Sequence, residues 1–212
     1  MRPRILWLSQ LASAQERVGR ACPHEADFVP ASLPEAEVTV VDVTAAPIPD
    51  ARPYAGVVVG GSVGCVHDAD DWRRALLAWL RHYDGPFLGI CGGHQMVAVA
   101  RGGEVTRGGF EQIGPRPLRV PGLDVAWVAQ AHRDAVTRVP AGAEVWAADE
   151  VCVQALRYGP AQWTTQFHPE VNPEIAPALW AGAATPPRPG ELEATIAGGR
   201  ALLAAWMAAV RG

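Results

Sequence analysis

A chain of 212 residues, 49% of them hydrophobic, is long enough to bury a sizeable core, most simply as one large domain spanning 1–212. Its net charge of −4 comes from interspersed acids and bases, and no block of Lys or Arg offers the electrostatic footprint that nucleic-acid binding needs. The first apolar run is broken by Gln10, Gln15 and Glu16, too early for a signal-peptide core or a membrane span.

In chain order, "RILWLSQ" (4–10), "EVTVVDV" (37–43), "AGVVVGG" (55–61) and "PFLGIC" (86–91) read as strands, each ending near Gly, Pro or polar residues. Between the third and fourth, "DDWRRALLAWLRHY" (70–83) places Trp72, Leu76, Leu77, Trp79, Leu80 and Tyr83 at helical spacing after an Asp cap. "GHQMVAVARGG" continues from Cys91 as a short helix that stops at Gly102 and Gly103. The segment 105–167 reads as successive strands: "EQIGPRPLRV", "VAWVAQ", "AEVWAADE", "CVQAL" and "AQWTTQF". These suit an antiparallel flank to a parallel sheet. "GAATPPRPGE" (182–191) is a Pro-rich loop, and "ELEATIAGGRALLAAWMAAV" (191–210) is an amphipathic C-terminal helix despite Gly198 and Gly199. Alternating strands and helices predict a three-layer α/β fold: a mostly parallel central sheet flanked by helices, with a small antiparallel flank. No repeat, low-complexity linker or composition shift marks a second domain.

Four cysteines, Cys22, Cys65, Cys91 and Cys152, show neither metal-type spacing nor a disulfide framework, which fits a reducing cytoplasm and offers no metal site. Free cysteine commonly packs as a small hydrophobe, and that reading suits Cys22, Cys65 and Cys152. Cys91 differs. Gly89, Cys91 and Gly93 have the spacing of a strand-to-helix elbow, where small flanking residues let the chain turn sharply and push the central side chain out of the sheet. The elbow also sets the thiol at a helix N-terminus, which favours thiolate and an oxyanion alike. A nucleophile needs a base and the base an orienter. In "TTQFHPEVNP", His168 closes a strand and Glu170 follows two residues later, on the same side if the chain stays extended; Pro169 keeps His168 out of the helical region. His94, three residues after Cys91, points away from the thiol on a helix, and His132 reads as structural. The eight tryptophans, among them Trp72, Trp79, Trp127 and Trp163, read as packing groups.

"GICGGHQ" followed downstream by "QFHPE" strongly resembles the class I glutamine amidotransferases, with flavodoxin-like architecture and a Cys-His-Glu triad, and is most similar to stand-alone relatives of the GMP synthase glutaminase domain. The resemblance runs from about residue 37 to about 172, and "YAGVVVGGSVGCVHDADDW", "FEQIGPRPLRV" and "AQAHRDAV" agree with it in order. It implies Cys91 as nucleophile, His168 as general base then acid, and Glu170 as its orienting carboxylate. It further implies an oxyanion hole from the backbones of Gly61 and Gly92, and recognition of the glutamine α-carboxylate and α-ammonium by Gln95 and Asp134, assisted by backbone groups around Ala131 and Arg133. On the bland alternative Gln95 is a helix-surface amide and Asp134 a loop acid. Ser62 stands where the family usually has proline, and Ala131 where it usually has serine.

No cofactor is implied. The chain has no GxxxxGK[ST] loop and no second domain for an ammonia acceptor, so any ATP-dependent synthetase is a separate polypeptide. Three functions stay open: a glutaminase that supplies ammonia to a partner or acceptor, a γ-glutamyl hydrolase or transferase with the same thioester chemistry, and an inactive binding or regulatory subunit.

Overall fold

The computed structural model describes residues 1–11, 24–183 and 186–212; Cys22 and residues 184–185 of the Pro-rich loop lie outside the described residues. The elements run β1 (Arg4–Ser9), α1 (Glu25–Ser32), β2 (Glu37–Asp42), β3 (Gly56–Val59), α2 (Asp71–Leu80), β4 (Phe87–Ile90), α3 (Gly92–Ala100), β5 (Glu104–Thr106), β6 (Gln112–Pro117), β7 (Trp127–His132), β8 (Ala135–Arg138), β9 (Glu144–Ala148), β10 (Val153–Gly159), β11 (Gln162–Thr165), α4 (Ala176–Leu179) and α5 (Glu191–Arg211).

Seven strands form the central sheet in the order β2-β1-β3-β4-β11-β10-β9. The first five are mutually parallel, and β10 and β9 extend the sheet antiparallel. The four early strands and the helices they feed therefore form as the sequence predicts. The later strands divide differently from a single flank. β11 inserts beside β4 as a parallel strand, while β5 with β8 and β6 with β7 make separate two-stranded ribbons.

Strands buried on both faces explain the near-continuous apolar runs. Along β1, Ile5 and Trp7 point to one side of the sheet and Leu6 and Leu8 to the other, and all four are fully buried. The first side packs Val58, Leu88 and Ile90 against Phe28 and Val29 of α1 and Leu202, Leu203 and Trp206 of α5. The second packs Val57, Val59 and Phe87 against Leu76 and Leu80 of α2 and Met96 and Val97 of α3. Helices thus cover both faces. Asp70 precedes α2 in extended conformation but makes no side-chain cap bond; its carboxylate pairs instead with Arg73. The tryptophans pack as expected: Trp79 stacks on Tyr83 at 4.5 Å, Trp163 meets Trp146 edge-on at 4.9 Å, and Arg73 lies over Trp72. No helix among the described residues is long and apolar enough to cross a membrane.

α5 reaches the site from behind. Trp206 Nε1 donates to the carbonyls of Phe87 and Ala161, each at 3.1 Å, which ties the helix to the N-terminal ends of β4 and β11. Its two glycines are contact points. A Cβ on Gly198 would sit 2.6 Å from the Trp127 carbonyl oxygen, and one on Gly199 would collide with the Pro169 carbonyl. The helix backbone can therefore lie directly against the segment that carries His168 and Glu170. Gly199→Ala is expected to destabilise the protein by about 1–3 kcal/mol through overpacking, whereas exposed Arg200→Ala should stay within about 0.5 kcal/mol of the parent. Urea unfolding of the two variants measures the difference, and equal midpoints would contradict the packing role.

Candidate active site

Cys91 is the joint between β4 and α3. It adopts φ 50 and ψ −103, and is the single non-glycine residue with positive φ among the described residues. Such a conformation costs of order 1–3 kcal/mol and persists only where its surroundings over-determine it. They do so here. The Cys91 N–H donates to Thr165 O at 2.7 Å, and the Cys91 carbonyl accepts from Gln95 N at 3.1 Å, beginning the helix. Side chains are excluded on both flanks: a Cβ on Gly89 would lie 2.9 Å from Gly93 O, and one on Gly92 would lie 2.6 Å from Ser62 N. The turn is therefore as sharp as the glycine spacing predicts.

His168 and Glu170 meet, but by a different route from the extended segment predicted. β11 ends at Thr165, three residues before His168, and Pro169 and Glu170 form a turn. Across it the His168 Nδ1–H donates to Glu170 Oε1 at 2.7 Å, both side chains being at least 92% buried. The backbone is fixed at two points: His168 N donates to Ala129 O at 2.9 Å, and Ser32 Oγ of α1 donates to Glu170 O at 3.3 Å. Burial works against a charged imidazole. The Glu170 carboxylate and the Cys91 sulfur outweigh it and hold His168 well above the usual histidine range. Nε2 has no hydrogen bond of ordinary geometry, and it is the ring nitrogen left to face a reacting group.

A cavity of about 490 Å³ opens over these residues. Cys91, His168, Glu170, Gly61, Gln95, Ala131, Arg133 and Asp134 all line it, so the structure brings together every predicted site residue except Gly92, which is buried beneath Ser62 at the start of α3. Gly61 sits close to both partners: a Cβ there would be 3.2 Å from His168 Cε1 and 4.0 Å from Cys91 Cβ. Phe28, Ile113, Ile175 and Leu179 add apolar surface to the same cavity.

Gln95 is 4% exposed, not a helix-surface amide. Its amide nitrogen donates to Asp134 O at 2.9 Å and to Gln166 Oε1 at 3.1 Å, so both hydrogens are committed internally and the carbonyl oxygen remains for a ligand. Asp134 Oδ1 accepts from Gly108 N at 2.9 Å and lies 3.5 Å from Arg133 Nε. The segment "AQAHRDAV" is less of a loop than its motif suggests, because Ala131 and His132 end β7 and Ala135 begins β8. His94 turns away from Cys91 to bond Thr164 Oγ1 at 2.8 Å, and burial lowers it to about 3. His132 bonds Gln112 Oε1 at 3.1 Å, and burial lowers it to about 4. Both are neutral near pH 7, as structural histidines would be. Cys65 is fully buried; burial, then Asp149, pushes the half-buried Cys152 thiol up to about 12, which suits packing. Among the described residues no group of three or more His, Cys, Asp or Glu is placed to hold a metal ion.

Two buried side chains escaped the sequence reading. Gln166, beside the predicted histidine, donates to Cys91 Sγ at 3.6 Å. Glu25 of α1, 4% exposed, packs with Trp7 against Gly60, just before Gly61; its Oε2 has no hydrogen-bond partner. Burial pushes the Glu25 carboxyl up to about 8; the neighbouring Ser9 and Trp7 side chains and the His168 charge oppose the rise, and the Glu170 charge adds to it. Nothing in "PHEADF" distinguishes this Glu from a helix N-terminal acid. Between the ordinary value of 4.5 and about 8 the folded protein keeps a proton that the unfolded chain has lost, so this group makes stability fall as pH rises through that window. Glu25→Gln removes the proton exchange. The variant's stability relative to the parent should therefore climb from pH 4.5 to 8 and level off above, as read by thermal unfolding across pH. Parallel curves would contradict the buried carboxyl.

The class I glutamine amidotransferase family model matches residues 25–179. A glutamine-hydrolyzing GMP synthase subunit from Ignicoccus hospitalis is 34% identical over 170 residues, 74% of this chain and 79% of that protein. The glutamine-hydrolyzing GMP synthase of Leifsonia xyli is 33% identical over 153 residues, 64% of this chain, and the match spans only 29% of the synthase's length. In fold, a glutamine amidotransferase from Thermotoga maritima superposes with a TM-score of 0.74 over 100% of both chains at 17% identity. With an elbow cysteine, a buried histidine–glutamate pair and a matching profile over most of its length, the chain belongs to the class I glutamine amidotransferase family.

Proposed function

We propose that this chain, as one domain, hydrolyses the side-chain amide of glutamine through a γ-glutamyl thioester on Cys91 and supplies the ammonia to a separate synthetase. The observation that carries the reading is the placement of a strained Cys91 beside a buried His168–Glu170 pair in one cavity. Because Glu170 and the sulfur both favour the imidazolium, His168 is placed to take up the Cys91 proton as the sulfur attacks. The thiolate attacks the amide carbon, a C–S bond forms, and the carbonyl electron pair moves to oxygen. The N–H groups of Gly61 and Gly92 hold that oxyanion; one such donor is worth roughly 3 kcal/mol of barrier. On collapse the C–N bond breaks, and the proton on His168 Nε2 leaves with nitrogen as ammonia. Neutral His168 then takes a proton from water, which attacks the thioester and expels the thiolate, giving glutamate.

Substrate orientation follows from what the cavity offers. Gln95, through its free carbonyl oxygen, and Asp134, through its carboxylate, are both acceptors and suit the α-ammonium. The α-carboxylate falls to the backbone around Ala131 and Arg133 and to the Arg133 guanidinium. The Ignicoccus relative is one subunit of a GMP synthase and is matched over most of its length, which supports a partner that carries the acceptor chemistry.

One observation favours a second reading. A cavity of about 490 Å³ lined by Phe28, Ile113, Ile175 and Leu179 has the size and apolar surface for a substrate bulkier than glutamine, such as a γ-glutamyl amide. Ammonia release from glutamine by the full chain, alone and with a candidate synthetase, is the test. Release that falls at least about 10³-fold in Cys91→Ala supports the glutaminase. Turnover of γ-glutamyl amides far above glutamine would move the assignment to the second reading, and no turnover of either would overturn both.

A further inference from the structure

We propose that Gln166 is a further working residue of this site, its buried carboxamide donating a hydrogen bond to the Cys91 sulfur and favouring the thiolate over the thiol. The inference rests on the reading of Cys91 as the nucleophile and adds a group that touches the reacting atom. Gln166 is fully buried, one residue beyond β11, with Nε2 3.6 Å from Cys91 Sγ.

The orientation of this amide follows from a chain of donors that starts at a backbone carbonyl. Asp134 O can only accept, so the Gln95 group facing it at 2.9 Å is its NH₂. The same nitrogen lies 3.1 Å from Gln166, which must answer with its oxygen. Oxygen toward Gln95 leaves nitrogen toward the sulfur. The Gln166 backbone is held as well, its N–H donating to Gln154 O at 2.8 Å. The side chain is a fixed donor, unable to rotate and offer an acceptor.

A fixed donor distinguishes the two states of Cys91. Besides His168, the sulfur faces Ala131 O, 3.9 Å away, which accepts from a thiol S–H but repels a thiolate. The Gln166 N–H gains as negative charge develops, since hydrogen bonds to ionised partners are roughly twice as strong as neutral ones. It opposes the Ala131 carbonyl and complements the imidazolium of His168. The same bond stabilises the thiolate expelled when water cleaves the thioester, so Gln166 acts in both halves of the reaction.

The test measures alkylation of Cys91 by iodoacetamide across pH in the full-length parent, Gln166→Met and Gln166→Asn, following the Cys91 peptide by mass spectrometry. Gln166→Met keeps the length but has no N–H, and Gln166→Asn keeps the amide but withdraws it by one methylene. In each folded variant the profile should move to higher pH, with alkylation about tenfold slower near neutrality and an unchanged limiting rate at high pH. An unchanged profile in either folded variant overturns the inference, whatever happens to stability, because a packing role would lower the unfolding midpoint and leave the thiol's titration alone. Iodoacetamide needs no glutamine site. A shifted profile in a protein that never turns over glutamine would uphold this inference and defeat the glutaminase reading; an unchanged profile in an active Gln166→Met would do the reverse.

Discussion

Between β4 and α3 the chain must reverse from sheet to helix within one residue, and Cys91 accepts a backbone conformation that L side chains avoid. That constraint organises what surrounds it. β11 lies parallel to β4 so that Thr165 can hold the Cys91 N–H, and the same strand delivers Gln166 and then His168 to the sulfur. The glycine at 89 leaves room for Gly93 and Thr164, and those at 92 and 93 remove side chains where the turn meets β3 or the loop after it. Strain of order 1–3 kcal/mol is a small fraction of what the doubly covered sheet contributes, so the fold can hold a conformation the local sequence would not choose.

The second physical theme is buried polarity. His168, Glu170, Gln95, Gln166, Gln130, Gln154, Glu25 and Asp134 are each at most 7% exposed, and most are tied to one another or to backbone. An unpaired buried group would cost free energy, so these side chains can occupy only a few arrangements and the network has little freedom to shift. Three of its unpartnered atoms lie close to the chemistry: His168 Nε2 and Glu170 Oε2 beside the cavity, and Glu25 Oε2 behind Gly60. α1 and α5 brace this arrangement from outside, through Ser32 on the Glu170 carbonyl and Gly199 against Pro169.

Much of this was legible from residues alone, for identifiable reasons. β1, β3 and β4 announce themselves as apolar runs because both faces are buried, the half-buried edge strand β2 by its β-branched residues, and the elbow is written in the spacing Gly89, Cys91, Gly93. The meeting of His168 with Glu170 follows from their separation by one proline, although a turn achieves it where an extended chain was expected. What was not legible depends on distant partners. β11 reads like any short strand, and only the vacant edge of β4 makes it parallel. β5 and β8 have three and four residues, too few for a period to register. α1 contains Pro30, which argues against a helix, yet Phe28 and Val29 find the sheet and hold it there. Gln166, Glu25 and the two glycines of α5 acquire their roles only from what the fold presses against them.

The central claim is that Cys91 is the nucleophile toward a glutamine-shaped substrate. A diazo-ketone analogue of glutamine tests it most directly, with the adduct located by mass spectrometry on the full chain, alone and with a candidate synthetase. The expected result is one adduct on Cys91 that free glutamine slows and Cys91→Ala abolishes. Labelling confined to another residue, or none in either setting, would contradict it.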